Sequence, residues 1–271
     1  MSEVSERDII TSIERGFAVL LAFDADLPEP TAAQLAASTG LSRPAIRRIL
    51  LTLQKLGYVA PVGSRWTLTP RVLTIGQHYA ATHGVVEVAQ PHSVRVAERT
   101  GESASLAQLD GIDVVYVARV HLRRVLSLNV DVGTGLPVHA TSMGRVLAAH
   151  AEASIVERIL EEGLPRLTER TITDPIEFRD RLHDVRRDGF AIVDSELEVG
   201  FLSAAVPVRD VSGAVVAALA YSTARGLHTV EDVEKDVVPV LLEIAADIGR
   251  DPAELPDHAR RVRLSGRTSF S

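Results

Sequence analysis

Apolar residues between 42 and 56 recur at the helical interval. Ile46, Ile49, Leu50, Leu53 and Leu56 share one stripe, with Arg47, Arg48 and Lys55 on the other side. Ser42 is placed to cap the start of this helix, Arg43 lies in its first turn, and Gly57 stands just past its end, where a left-handed cap belongs. Such a helix buries its back and presents a basic front. Ahead of it, Thr11 to Phe23 sets Ile13, Phe17, Leu20 and Leu21 on one predicted helical face. Thr31-Ala-Ala-Gln34 is a capping box that opens a short helix through Ser38, with Leu35 and Ala36 expected inward. Thr39-Gly40-Leu41 joins it to the basic helix. Helix, helix, tight turn, helix is a helix-turn-helix order.

Tyr58-Val59 and Trp66-Thr67-Leu68 are β-prone runs around the turn Pro61-Val62-Gly63-Ser64, a hairpin that reads as a wing with Arg65 beside its tip. Trp66 is expected to pack within it. Helical spacing returns from Pro70 to about Val88 through Val72, Leu73, Ile75 and Tyr79, a linker helix whose apolar side suits burial against a second copy. From Val88 the pattern is mixed. Helices are expected at Val88–Arg99, Ser142–His150, Ser154–Glu162, from Pro175 to Arg187 with Gly189 as the stop, and from Thr229 to about Gly249. Strands are expected at Ala104–Leu109, Asp113–Val120, Val125–Val130, Phe190–Asp194, Leu202–Val208 and Ala214–Ser222, with Asp110-Gly111 marking a hairpin. The fold class is therefore α+β. The expected plan is a winged helix-turn-helix over 1–70, a linker helix over 71–88, a second domain over 89–250 and a disordered tail over 251–271.

Charge sharpens this plan. From Thr31 to Val86 there is no Asp or Glu, while Arg43, Arg47, Arg48, Lys55, Arg65 and Arg71 are all positive, in a chain whose net charge is −7. A basic, acid-free stretch inside an acidic chain is the electrostatic footprint of nucleic-acid contact. A helix in the major groove reaches base edges with its first turns while its arginines also meet phosphate. Ser42, Arg43, Pro44, Arg47 and Arg48, with Arg65 on the wing, are thus the candidate contacts to double-stranded DNA. Aromatic content of 4% disfavours stacking platforms for single strands.

Other classes lose ground. The chain has no cysteine, which removes disulfides and thiolate metal sites. The polar start shows no signal peptide and no run reaches the roughly 18 apolar residues of a membrane span, so a cytoplasmic protein without a membrane partner is expected. There is no phosphate loop, Gly-x-Ser-x-Gly elbow, His-Glu-x-x-His or dinucleotide fingerprint, and Gly133-Thr-Gly135 reads as a turn. The nine histidines contain no i, i+4 metal pair. His139, Asp194 and Ser203 assemble into a base, an orienter and a nucleophile only on paper. No cofactor, no metal and no enzymatic activity are expected. A constitutive architectural DNA-binding protein is the alternative to a regulator, but it has no need of some 160 residues of second domain.

The motifs resemble those of the IclR-type bacterial transcription regulators over roughly residues 11–249. They are Ser-Ile-Glu-Arg-Gly-Phe-Ala-Val-Leu at the start, Gly-Leu-Ser-Arg-Pro-Ala-Ile-Arg-Arg, Leu-Gly-Tyr-Val, His139-Ala-Thr-Ser-Met-Gly-Arg145 and Ala205-Val-Pro-Val-Arg-Asp210. The segment from Gly133 through Gly-Arg-Val-Leu looks most like the branch that regulates β-ketoadipate, protocatechuate and hydroxybenzoate catabolism. The resemblance implies a GAF-like effector-binding domain, a homodimer or dimer of dimers, and a small organic acid as signal. One position departs: Leu202 stands where that branch usually carries Arg before the Ser.

The loop Thr141-Ser142-Met143-Gly144 opens a predicted helix, where unpaired N–H groups and the dipole favour an anion. Plain N-capping explains the same residues. The resemblance places the ligand against this loop and the strands that follow, which favours a small carboxylate effector there. Leu126, His139, Asp194, Glu196, Phe201, Ser203 and Tyr221 are further candidates, and Arg119, Arg123, Arg124 and Arg145 are the cations available to face the carboxylate.

Overall fold

The computed structural model describes residues 9–24, 27–82, 84–121 and 130–250. The chain divides into two compact units, Met1–Ala80 and Ala81–Ser271. Leu126, Arg123, Arg124, most of the strand expected at 125–130, the first eight residues and the segment 251–271 lie outside the described residues.

In the first unit, α1 (Thr11–Leu21), α2 (Ala32–Thr39) and α3 (Arg43–Leu56) precede a hairpin of β1 (Val59–Val62) and β2 (Arg65–Leu68). Local chemistry explains each boundary. Thr31 and Gln34 make both halves of the capping box, and Gly40 ends α2 in the left-handed conformation. Ser42 accepts the Ala45 N–H to start α3, and Gly57 (φ 84°) ends it. The hairpin turns at Gly63, which also has positive φ. Val19, Leu35, Ile46, Leu50, Leu53 and Val59 form the core, with Trp66 and Tyr58 packed on it.

α1 departs from expectation. Its fully buried residue is Val19, whereas Ile13 and Phe17 are about half exposed and Leu21 is exposed. Ile13, Phe17 and Leu20 do share a face, but within this chain it forms the wall of an open apolar groove with Ile49, Leu56 and Ile75. After a 3-10 turn at Pro70–Val72 comes α4 (Leu73–Thr82), with Leu73, Ile75 and Tyr79 exposed.

In the second unit, α5 (Gly84–Thr100) precedes the sheet. Six strands follow in an antiparallel sheet of order β5-β4-β3-β8-β7-β6: β3 (Ser103–Asp110), β4 (Asp113–Val120), β5 (Gly135–Pro137), β6 (Ala191–Asp194), β7 (Phe201–Arg209) and β8 (Val215–Ala224). The expected turn at Gly133 is present, but Gly135 begins β5. Helices α6 (Ser142–His150), α7 (Ala153–Glu162) and α8 (Pro175–Asp188) lie between β5 and β6, and α8 is held by Asp174 at its start and Gly189 at its end.

The described residues close on α9 (Val230–Asp232), a π-helical turn at Val233–Val237 and α10 (Val238–Arg250), where one regular helix was expected. Pro239 has no N–H for the Lys235 carbonyl and its ring crowds that oxygen, which the widened turn before it accommodates. Two cores flank the sheet. α5 and α10 cover one face through Val96, Leu241 and Ile244, and α6 to α8 cover the other through Val146, Ile159 and Phe178.

Candidate functional site

Two sites emerge, one in each unit. In the first, α3 buries Ile46, Leu50 and Leu53 and leaves Ser42, Arg43, Pro44, Arg47 and Arg48 exposed. Arg43 and Arg47, four residues apart, are neighbours on one helix face. Arg48 lies apart from them, bordering the apolar groove beside Ala45 and Thr52. Arg65 is exposed on the wing, and its Nη1 donates to the Glu29 carbonyl at 2.8 Å, tying β2 to the turn before α2. Trp66 N–H donates to Pro30 O beside it, so the wing is fastened to the helical core. Arg71 lies across the Tyr58 ring, 5.7 Å from its centroid.

The second site is a narrow cavity between the start of α6 and the sheet, with about 30 Å³ open to the centre of a water molecule. Ala140, Thr141, Ser142 and Met143 form one wall. Thr141 is the cap: its Oγ1 accepts the Gly144 N–H at 3.1 Å and donates to Pro137 O. Its carbonyl takes the Arg145 N–H. Among the described residues nothing accepts from the amides of Ser142 and Met143, so the N-terminus keeps the donors an anion needs. Gly144 does not line the cavity. A Cβ there would stand 2.2 Å from Val138 O, so its place is set by the tight 3-10 turn at Val138–Ala140.

The sheet supplies the floor. Ser203 and Phe201 on β7 face the cavity, as do Ser105 on β3, Ser222 and Ala220 on β8, and Tyr116 on β4. Ser222 pairs with both Ser103 and Ser203, giving a row of hydroxyls across three strands of the sheet. Burial pushes the Tyr116 phenol up to about 12, so it stays neutral and can donate.

Strand alternation corrects two expectations. Leu202 pairs with Thr223 between the cavity-facing Phe201 and Ser203, and its side chain is buried against the α5 and α10 layer. An Arg at 202 would point away from this cavity, so its replacement by Leu removes nothing here. Tyr221 borders the cavity along β8, but its ring is in the opposite core, edge-on to His228.

The third wall is the loop after β6, with Val193, Glu196, Leu197 and Glu198. Ser195 turns it with φ 60°, a conformation costing a non-glycine residue roughly 1 kcal/mol. Its Oγ accepts the Gly200 N–H and donates to Asp194, and Thr168 Oγ1 donates to its carbonyl, which fixes the turn. Glu196 is thereby directed inward to a buried ion pair with Arg145. Arg145 Nε donates to His139 O at 3.1 Å, and Glu196 accepts the Ile172 N–H at 3.2 Å.

Asp194 is outside the cavity, clasped by Arg170, Arg225 and Ser195. His139 is buried as a structural residue: its Nε2 donates to Pro165 O at 3.0 Å, and burial holds its pKa below the usual range. His139, Asp194 and Ser203 thus form no catalytic constellation. Among the described residues no cluster of His, Asp and Glu could hold a metal, and no helix is long and apolar enough to cross a membrane. Ser105, Tyr116, Val193, Leu197, Glu198 and Ser222 escaped sequence reasoning. The one available signal was serine interrupting apolar strands.

Residues 12–63 match the IclR helix-turn-helix domain and residues 77–250 the bacterial transcriptional regulator IclR C-terminal domain. The Pca regulon regulatory protein of Pseudomonas putida is 40% identical over 243 residues, covering 89% of this chain and 84% of that one. The p-hydroxybenzoate hydroxylase transcriptional activator of Acinetobacter baylyi is 36% identical over 223 residues, covering 80% and 82%. The structure of an IclR homologue from Microbacterium hydrocarbonoxydans complexed with 4-hydroxybenzoate superposes with a TM-score of 0.77 at 28% identity, covering 88% of this chain and 97% of that one. By these matches the chain is a member of the IclR family of bacterial transcriptional regulators, a DNA-binding protein rather than an enzyme.

Proposed function

We propose that the signal is a small aromatic carboxylate of the hydroxybenzoate class, bound in the cavity between α6 and the sheet, and that its binding changes affinity for an operator. The observation that carries this reading is the meeting of α6's unpaired amides, the serine row and the Tyr116 phenol around one cavity. These groups suit a carboxylate at one end of an aromatic ring and a hydroxyl at the other. The relatives' names point the same way. The cavity is tighter than a typical ligand pocket of about 300 Å³ or more, so binding requires side chains to move; Met143 and Phe201 are the adaptable walls. Of the residues expected from sequence, Thr141, Ser142, Met143, Glu196, Phe201 and Ser203 keep this assignment. Gly144 and His139 support the wall from behind, and Asp194 and Tyr221 leave it.

Operator contact is assigned to Ser42, Arg43, Pro44, Arg47 and Arg48 on α3 and to Arg65 on the wing. The working division is a DNA-reading domain over 1–70, a linker over 71–88 and an effector domain over 89–250. One recognition helix covers a half-site, so a homodimer on a roughly palindromic operator follows, joined through the exposed apolar side of α1 and α4, with Ile13, Phe17, Ile75 and Tyr79.

The test is a thermal-shift and calorimetric titration of the full chain with 4-hydroxybenzoate and related acids, followed by operator binding with and without the ligand that binds. Ser142→Asp places a like charge against the carboxylate. It should abolish the response while leaving operator binding of the effector-free protein intact. Unchanged effector affinity in that variant would place the pocket elsewhere, and a monomeric mass by light scattering at micromolar concentration would refute the dimer.

A further inference from the structure

We infer that Arg119 is the specificity-determining residue that receives the effector's carboxylate, an inference that rests on the cavity being the effector site. The charged side chains lining the cavity among the described residues are the acids Glu196 and Glu198. Arg145 stands behind them, but its guanidinium is bound to Glu196 and to the His139 carbonyl. Glu196 is answered by Arg145 and Glu198 is exposed, so the walls hold no further cation for an entering carboxylate, and one facing it would add charge-assisted hydrogen bonds to those of the α6 amides.

The sheet brings one to the same face through an irregularity. Leu106 pairs with Ala118 but Ala107 pairs with Tyr116, so β4 has an extra residue, Val117, at a bulge. Regular alternation would send Tyr116 and Arg119 to opposite faces. The bulge instead turns Val117 and Ala118 together into the α5 and α10 core and returns Arg119 to the cavity side with Tyr116. Arg119 stands directly opposite Ser105, which in turn stands opposite Ala220, and both of these line the cavity.

Its guanidinium lies over the ring of Tyr116, 5.7 Å from the centroid. A guanidinium fork binds a carboxylate edge-on by two parallel N–H bonds. Nη2 is also 3.5 Å from His121 Nδ1, and the charge of Asp131 acts on the group. Partial burial pushes the guanidinium below its usual range, which marks it as incompletely hydrated though still charged. The same geometry predicts discrimination: a neutral amide or ester of the same shape fits the serine row but lacks the charge that Arg119 answers.

The experiment is calorimetric titration of the full-length protein, wild type and Arg119→Met, with 4-hydroxybenzoate and its neutral isostere 4-hydroxybenzamide. Arg119→Met is expected to weaken the benzoate at least about tenfold, the loss of one charged hydrogen-bond pair, while the benzamide changes less than about threefold. Arg119→Lys keeps a charge and an alkyl stem beside Tyr116 without the fork, and serves if the Met variant melts early. It should lower the benzoate-to-benzamide affinity ratio. An unchanged ratio in both variants would overturn the assignment, as would equal loss of both ligands, which is the mark of a merely structural residue. If the wild type binds the benzoate and the variants bind it equally well, only Arg119 is wrong. If the wild type binds no aromatic acid, the effector reading falls with it.

Discussion

Arg145→Met is the most demanding test of the architecture beneath the cavity. The Arg145 and Glu196 side chains are only 4% and 10% exposed, so the pair is bound in a medium that solvates neither charge well. Removing the guanidinium leaves the Glu196 carboxylate with the Ile172 N–H and no cation, and frees the His139 carbonyl at the same time. Breaking a buried pair from one side costs about 3–5 kcal/mol, because the remaining charge is uncompensated. For a folding unit of this size, roughly 2–4 °C per kcal/mol predicts a fall in Tm of about 6–20 °C by differential scanning calorimetry of the full chain. Glu196→Leu should cost a similar amount by stranding Arg145. The double variant, Arg145→Met with Glu196→Leu, removes both charges and should recover most of the loss, since a well-packed apolar pair replaces a buried ion pair at little net cost. If the two single losses simply add in the double variant, the pair is not coupled and the reasoning fails.

Three further outcomes are expected. The double variant Arg43→Ala, Arg47→Ala should lose about 1–3 kcal/mol of operator affinity for each arginine that reads a base, with altered sequence preference in a binding-site selection; Arg65→Ala should weaken all sequences alike and flatten the salt dependence. Gly144→Ala drives a methyl group to 2.2 Å from Val138 O and 2.5 Å from Thr141 Oγ1, and should destabilise the second unit by about 3 kcal/mol or more in a thermal melt, since both the obstructing carbonyl and the cap are rigid. His139 is held neutral by burial, so between its lowered folded pKa and the unfolded value near 6.5 the unfolded chain binds more protons. Its contribution is complete above about pH 6.5 and is lost as the pH falls below that; His139→Gln should flatten the acid limb of a Tm-against-pH curve, and an unaltered limb would dismiss the role.

Local chemistry carried a large part of the fold into the sequence itself. Ser42 and Gly57 bound α3, Thr31 and Gln34 open α2, Asp174 and Gly189 bracket α8, and Asp110-Gly111 turns the hairpin between β3 and β4. Each of these signals acts within a few residues, through a side chain that satisfies a nearby backbone group or a glycine that accepts positive φ. The basic front of α3 is equally local, since helical periodicity alone puts Arg43 and Arg47 together.

What the sequence could not determine depends on partners far along the chain. Periodicity placed Ile13 and Phe17 on one face of α1, but only the packing of α2 and α3 around Val19 decided that this face is left open. Tyr221 and Leu202 lie in apolar runs with no alternation to reveal a side, and the pairing of β7 with β8 assigned both to the α5 and α10 core. The bulge at Val117 comes from a two-against-one register with β3, which no local preference announces, and it alone returns Arg119 to the cavity side. The Arg145–Glu196 pair joins residues 51 apart because the turn at Ser195 and the start of α6 meet over the sheet. Periodicity and capping are properties of a segment, whereas facing, register and pairing exist only once separate segments share a core.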